Sequence, residues 1–210
     1  MNPLEIPEIV IERLPLYLRA LSLMASEGQA VTSSQELADR LEISSTQIRK
    51  DLSYFGEFGK QGTGYDVLYL RDQLSEILQV NRPWDVALVG AGDLGRAILR
   101  YAGFERHGFS VAAVFDKDPQ KIGRRIGKVT ILDIASLNDA IHKRGIRIGI
   151  IAVPPAEAQE VVDALVGAGV RAILTYAPVA LRLPPHVRAR HLDPIIGLQS
   201  MTYYLDRDQQ

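Results

Sequence analysis

Val86-Ala87-Leu88-Val89 runs without a break into Gly90-Ala91-Gly92-Asp93-Leu94-Gly95, and the helical stretch LGRAILRYAGF follows. Four contiguous apolar residues read as a buried strand. A glycine-x-glycine-x-x-glycine run between such a strand and a helix leaves few folds open. Gly90 permits the tight turn out of the strand, Gly92 lets the backbone approach a pyrophosphate, and Gly95 lets the helix pack close to the strand. The helix start then offers free N–H groups and a partial positive charge to an anion. Ala91, Asp93, Leu94 and Arg96 therefore join the three glycines as cofactor-contact candidates. Asp116 ends the next apolar run, SVAAVFD, 21 residues beyond Gly95, with Lys117 after it. A carboxylate there can accept hydrogen bonds from ribose hydroxyls and repels a 2′-phosphate, which favours NAD(H) over NADP(H). Tyr101, about two helical turns past the fingerprint, is either a packing aromatic near the helix end or a ring placed near the nicotinamide.

Beyond Trp84 short apolar runs alternate with helical stretches: DVALVG, SVAAVFD, KVTIL, RIGIIAVP and VRAILTYAP are the strands, with ASLNDAIHKRG and PAEAQEVVDALVGAG among the helices. That alternation implies βαβ units and a parallel sheet. Asn81-Arg82-Pro83 punctuates the chain just before it, so a Rossmann-like α/β domain is expected over 83–196. IIGLQSMTYYLDRDQQ then reads as a terminal helix, 197–210, with Leu198, Met201 and Leu205 on one side. Because the Rossmann unit is already complete, this helix is expected to pack on a partner subunit.

The first 82 residues have a different texture. PEIVIERLPLYLRALSLMASEG reads as a helix with Ile9, Leu14, Leu18, Leu21 and Met24 inward, kinked or restarted at Pro15. Ser33 with Glu36 three residues on is a capping-box signature. Leu37, Ala38 and Leu41 make a short apolar face, Ile43-Ser44-Ser45 breaks it, and Ile48, Leu52 and Phe55 open a second one. Two short helices around a turn of about three residues are the outline of a helix-turn-helix. With Ile48, Leu52 and Phe55 inward, the opposite arc of the second helix holds Thr46, Gln47, Arg49, Lys50, Ser53 and Tyr54, with Ser45 at its start, while Asp51 falls toward the inward flank. Arg and Lys can read guanine edges, Gln can read adenine, and Ser and Tyr can hold phosphates. GEFGKQGTGYDV packs four glycines around Lys60, which suggests a hairpin serving as the wing of a winged helix. YLRDQLSEILQV closes the domain as a further helix.

Charge gives no help to this DNA-binding reading. Residues 1–82 carry 8 Lys+Arg against 12 Asp+Glu, and residues 83–210 carry 16 against 13, for a net −1. Any DNA contact must come from a local cluster rather than from a basic domain. The chain has no cysteine, which removes disulfides, thiolate metal sites and cysteine nucleophiles and fits a reducing cytoplasm. No run approaches a membrane span, no signal peptide opens the chain, and no metal site is expected. No tyrosine has a lysine four residues on, and His107, His142, His186 and His191 all sit beside loop-like or charged residues. No catalytic residue is therefore assigned, and the dinucleotide reads as a ligand being sensed. A small NAD-dependent dehydrogenase and a coenzyme A-binding module, each with a helical appendage, are the rival readings.

The run SSQELADRLEISSTQIRKDLSYFGEFGKQGTGYDV, with VALVGAGDLGRAI and FDKDPQKIG, resembles the redox-sensing transcriptional repressors called Rex. The resemblance extends from LPLYLR to LQSMTYYL. It implies a homodimer bound to palindromic double-stranded operator DNA, released by NADH, with NAD⁺ competing for the same site. It places Gln47, Arg49, Lys50, Ser53 and Tyr54 on the recognition helix, Gly90, Gly92, Gly95 and Asp116 on the cofactor, and Tyr101 near the nicotinamide. It also implies that the helix from Leu198 is exchanged between subunits. The chain departs from the family where many members read N-F-A-P, having Thr175-Tyr176-Ala177-Pro178, and at Gly197, where an acidic residue is common. Arg19 on the first helix and Asp193 before the last are switch candidates, opposite charges able to pair in one dimer shape and part in the other.

Overall fold

Glu8–Ser26 forms one continuous helix, α1, through Pro15. The restart expected there does not occur. Pro15 lies on the exposed side, where water is at hand for the Ile11 carbonyl that loses its amide partner. The buried face is Val10, Leu14, Tyr17, Ala20, Leu21 and Met24, and Ile9 points to solvent. The computed structural model describes residues 6–59 and 62–205, in two compact units that divide between Arg82 and Pro83.

In the first unit, β1 (Val31–Thr32) leads into α2 (Ser34–Leu41) and α3 (Ser45–Ser53), and β2 (Tyr65–Asp66) leads into α4 (Val67–Ile77). The capping box at the start of α2 is complete: Glu36 N–H donates to Ser33 Oγ, and Ser33 N–H donates to Glu36 Oε2, both at 3.1 Å. Glu42 ends α2 in a left-handed conformation, φ 56°, and Ser44 caps α3 by accepting from Gln47 N–H. The turn is thus Glu42-Ile43-Ser44, with Ser45 already helical. Leu14, Tyr17, Leu21 and Met24 pack with Leu37, Ile48, Leu52, Val67, Leu70 and Leu74 in a single core.

The glycine-rich stretch differs from expectation. Its described strand, β2, pairs antiparallel with β1, Val31 opposite Asp66 and Thr32 opposite Tyr65, rather than with a strand of its own stretch. A two-residue strand before α2 leaves no periodicity to read, so its partner is visible only in the fold. Gly64, at φ 79°, lets the chain enter this ladder, because a Cβ there would run into the Thr32 carbonyl. Lys60 lies outside the described residues.

The second unit opens with β3 (Trp84–Val89), α5 (Asp93–Arg100), the single turn α6 (Gly103–Arg106), β4 (Phe109–Asp116), β5 (Arg125–Ile126) and β6 (Val129–Asp133). It continues through α7 (Leu137–Arg144), β7 (Ile148–Ile151), α8 (Ala158–Gly167), β8 (Ala172–Thr175), β9 (Arg188–His191) and α9 (Pro194–Leu205). The sheet order is β5-β6-β4-β3-β7-β8-β9, parallel except for β5 on β6. One face packs Ala87, Val89, Ala113 and Phe115 against Leu137, Ile141, Val162 and Leu165 of α7 and α8. The other packs Val86, Leu88 and Val114 against Ile98 of α5. Strands β5 and β9 escape the sequence reading because neither carries an apolar run. The Arg188–His191 strand is an edge, and charged residues blunt such edges. No described residue of α9 is buried, and Ile195, Ile196, Leu198, Met201, Tyr203, Tyr204 and Leu205 are all exposed. No helix among the described residues is long and apolar enough to cross a membrane.

Candidate functional sites

From β3 the chain crosses to β4 on one side and returns to β7 on the other, so the carboxyl ends of β3 and β7 flank a topological switch point. Ligands of open α/β sheets bind in that crevice. Here it is a cavity of about 460 Å³ lined by Gly90, Gly92, Asp116, Lys117, Asp118 and Lys121 on one side and by Val153, Pro154, Glu157 and Val161 on the other.

The three glycines have distinct steric roles. Gly90 sits at φ 101°, and a Cβ on it would strike the Ala152 carbonyl oxygen. A Cβ on Gly95 would land on the Gly90 carbonyl oxygen, so the helix could not approach its turn. A Cβ on Gly92 meets nothing within 4 Å. Nothing inside the protein requires a glycine there, whereas a group seated against the backbone would. Gly92 is also the N-cap of α5 and supplies no side-chain cap. The first amides of α5 are thereby left to an anion, and the site fits a pyrophosphate.

Asp116 is 7% exposed. Its Oδ2 accepts from Ala91 N–H at 2.8 Å and from Lys121 Nζ at 3.1 Å, and its Oδ1 accepts from Asp118 N–H at 2.9 Å. Burial pushes its carboxyl up, but the amides of Asp118 and Ala91 and the Lys121 ammonium outweigh that and hold it below the usual carboxylate range. Asp116 thus ties the fingerprint turn to the end of β4 as well as lining the cavity. Lys117 pairs with Glu157 at 2.8 Å, and both line the cavity. Arg96 pairs with Asp93 on the exposed start of α5, beside exposed Leu94.

Lys121, Glu157 and Val153 also line the cavity, and no sequence motif marks them. Lys121 follows Asp116 by five residues, whereas Val153 and Glu157 lie on a segment that only the sheet topology brings to the crevice. Tyr101 is placed elsewhere. The backbone turns extended there and ends α5, and the ring, 66% exposed, lies edge-on to Phe104 at 5.7 Å. It lines a separate cavity of about 250 Å³ with Ile98, Phe109 and Val129. Within one chain it does not join the fingerprint cavity.

On α3 the exposed side holds Thr46, Arg49, Lys50 and Ser53, with Ser45, Gln47 and Tyr54 half-buried at its margins. Arg49 is braced by Ser34 Oγ at 2.8 Å and Thr46 Oγ1 at 3.1 Å, and Ser53 Oγ donates to the Lys50 carbonyl. Asp51 is fully buried on the opposite side. It accepts from Arg13 Nε at 2.5 Å, Arg13 Nη2 at 2.8 Å, Tyr17 OH at 2.6 Å and Gln47 Nε2 at 2.6 Å. Burial alone would raise its carboxyl, yet the bonds from Arg13, Tyr17 and Gln47 bring it below its ordinary value.

Thr175 and Tyr176 close β8. Thr175 is buried and its Oγ1 accepts from Ala177 N–H at 3.1 Å, the short side-chain-to-backbone bond that an asparagine can also make. Gly197 is an exposed residue of α9. Asp193 caps α9 by accepting from Ile195 N–H at 2.9 Å, and Arg19 is an exposed residue of α1. No group of three or more metal-ligating side chains occurs among the described residues.

Two family models match parts of the chain: "Putative DNA-binding protein N-terminus" over residues 5–53 and "CoA binding domain" over 81–179. The redox-sensing transcriptional repressor Rex of Roseiflexus sp. (strain RS-1) is 54% identical over 204 residues, covering 97% of this chain and 93% of its own. Its counterpart from Chloroflexus aggregans is 52% identical, covering 97% and 96%. Among solved structures, RSP in complex with β-NAD⁺ and operator DNA superposes with a TM-score of 0.90 at 35% identity, covering 97% of this chain and 94% of that one. RSP with β-NADH gives 0.88 at 33% identity, covering 98% and 96%.

Proposed function

This chain belongs to the Rex family of redox-sensing transcriptional repressors, and from that premise we propose that it binds operator DNA through α3 and releases it when NADH occupies the crevice beside Gly90, with NAD⁺ competing. The observation that carries the reading is the pair of elements in one chain. A helix-turn-helix with a polar outer arc is joined to a fingerprint turn whose Gly92 is left open and whose cavity is lined by Asp116. The amides at the start of α5 hold the pyrophosphate, and Asp116 holds the ribose diol. NAD⁺ and NADH differ by one hydride and one charge at the nicotinamide, so the ring is where the two forms are told apart.

A homodimer can set two recognition helices in successive major grooves, about 34–36 Å apart, on a palindrome. A change in the angle between subunits spoils that spacing without altering either helix. NADH acts only as far as its free energy differs between the two dimer shapes. Arg19 and Asp193 remain the switch candidates, and reversing either charge tests them. The dimer operates in the cytoplasm, in contact with the DNA it represses.

The family-model match to a coenzyme A-binding domain gives the second reading of the ligand. Asp116 speaks against it, because coenzyme A carries a phosphate on the adenosine ribose and a carboxylate there repels one. The deciding experiment is fluorescence anisotropy of labelled operator DNA with the full chain, under rising NADH at several fixed NAD⁺ levels and, separately, under coenzyme A. Release that tracks the NADH:NAD⁺ ratio is the expected result. Release by coenzyme A alone, or by total dinucleotide whatever its redox state, overturns it.

A further inference from the structure

Asp51 presents a puzzle of placement. It is a fully buried carboxylate in the middle of a helix whose other side faces solvent. Taking an ion pair out of water brings little stability over a well-packed apolar residue, so a buried charge invites a reason beyond stability. Its four donors supply one. Arg13 and Tyr17 come from α1, but the fourth, Gln47 Nε2, belongs to the outer rim of α3 itself.

A carboxylate only accepts hydrogen bonds, so the Gln47 amide must turn its NH₂ group inward. When the hydrogen anti to Oε1 makes that bond, Oε1 and the second Nε2 hydrogen face away from Asp51, side by side. An unrestrained glutamine could flip and present either end. This one cannot, because the flipped amide would set oxygen against oxygen. Gln47 is half-buried at the margin of the arc, one turn before Lys50 and two before Tyr54.

An acceptor beside a donor matches the major-groove edge of adenine, where N6–H₂ donates and N7 accepts. Guanine offers two acceptors there, O6 and N7, and O6 would meet Oε1. We infer that Asp51 is a positioning residue that locks the Gln47 amide in the orientation that reads an adenine in each operator half-site, with Arg13 and Tyr17 anchoring the lock to α1. This inference rests on the DNA-binding reading of α3.

The test is binding of the full chain to operators in which each half-site base pair is replaced in turn by the other three. The wild-type chain should prefer adenine over guanine at one position by roughly tenfold or more. Gln47→Ala should abolish that preference alone and leave the other positions as they were. Asp51→Asn, which can seat the amide either way, should reduce the same preference several-fold. Tyr17→Phe, which leaves the Asp51–Gln47 bond in place, should retain it. Should Asp51→Asn fail to fold, side-chain amide exchange in the wild-type chain reports the lock directly: one Gln47 Nε2 proton exchanges slowly and the other fast. An unchanged base profile for Gln47→Ala, or equal exchange of the two protons, overturns the inference while leaving DNA binding standing. A chain that binds no operator overturns both.

Discussion

Arg13 and Asp51 are joined by two hydrogen bonds, Nε to Oδ2 at 2.5 Å and Nη2 to Oδ1 at 2.8 Å, so α1 grips the buried side of α3. Nothing in their 38-residue separation announces the pair. It makes α1 the mount on which the polar outer arc of α3 is set.

Acid should loosen that mount. The native Asp51 carboxyl lies below its ordinary value, so its stabilising contribution is complete above the unfolded value of about 4. The contribution is lost as the pH falls from there through the native value. Chemical denaturation followed by far-UV circular dichroism between pH 7 and pH 3 should show stability dropping at the acid end. Asp51→Ala leaves the Arg13 guanidinium, the Tyr17 hydroxyl and the Gln47 amide without their acceptor and should cost about 1–3 kcal/mol at neutral pH. A loss below about 1 kcal/mol would show that the network adds little.

Asp116 should set the choice between NADH and NADPH. In Asp116→Ala the repulsion of a 2′-phosphate disappears, and Lys121, which now donates to Asp116 Oδ2, is released beside it. NADH affinity should fall about tenfold, and NADPH affinity should fall less or rise, as one bond to the ribose is worth about 1.5 kcal/mol. Intrinsic fluorescence titration with both dinucleotides checks this. Discrimination equal to the parent's would remove Asp116 from the ribose.

Gly92 and Gly95 should part company. Gly92→Ala adds a methyl in open space at an ordinary φ of −72°, so stability should stay within about 0.5 kcal/mol while NADH binding is lost. Gly95→Ala drives its methyl into the Gly90 carbonyl and should destabilise the domain itself. Thermal unfolding beside an NADH titration separates the two. Weak NADH binding only in the destabilised variant would mean that Gly92 does not face the pyrophosphate.

The terminal helix should hold the assembly together. All of its described residues are exposed, including Ile195, Ile196, Leu198, Met201, Tyr203, Tyr204 and Leu205. So much apolar surface on one 12-residue helix calls for a cover. Removing residues 194–210 should weaken the dimer by at least tenfold in sedimentation equilibrium, with the thermal transition of the remainder preserved. A dimer of unchanged strength would leave α9 without that role.

The local devices are legible from residue order, because each is written in a few adjacent residues. Ser33 with Glu36 specified a helix start through two reciprocal bonds. Ile48 and Leu52 specified which side of α3 turns inward and which carries Thr46, Arg49, Lys50 and Ser53. The glycines at 90 and 95 specified a turn and a close helix approach that leave no room for a Cβ at either position. Periodicity failed where elements were too short or too polar to show one, as at β1, β5 and β9. The tertiary structure alone decided what depends on distant backbone arriving at one point. It paired Val31–Thr32 with Tyr65–Asp66, brought Val153 and Glu157 opposite Asp116, carried α1 unbroken through Pro15, and turned Tyr101 away from the fingerprint cavity. It also made Asp51 the acceptor of four bonds, since a buried carboxylate must find its donors wherever the fold delivers them.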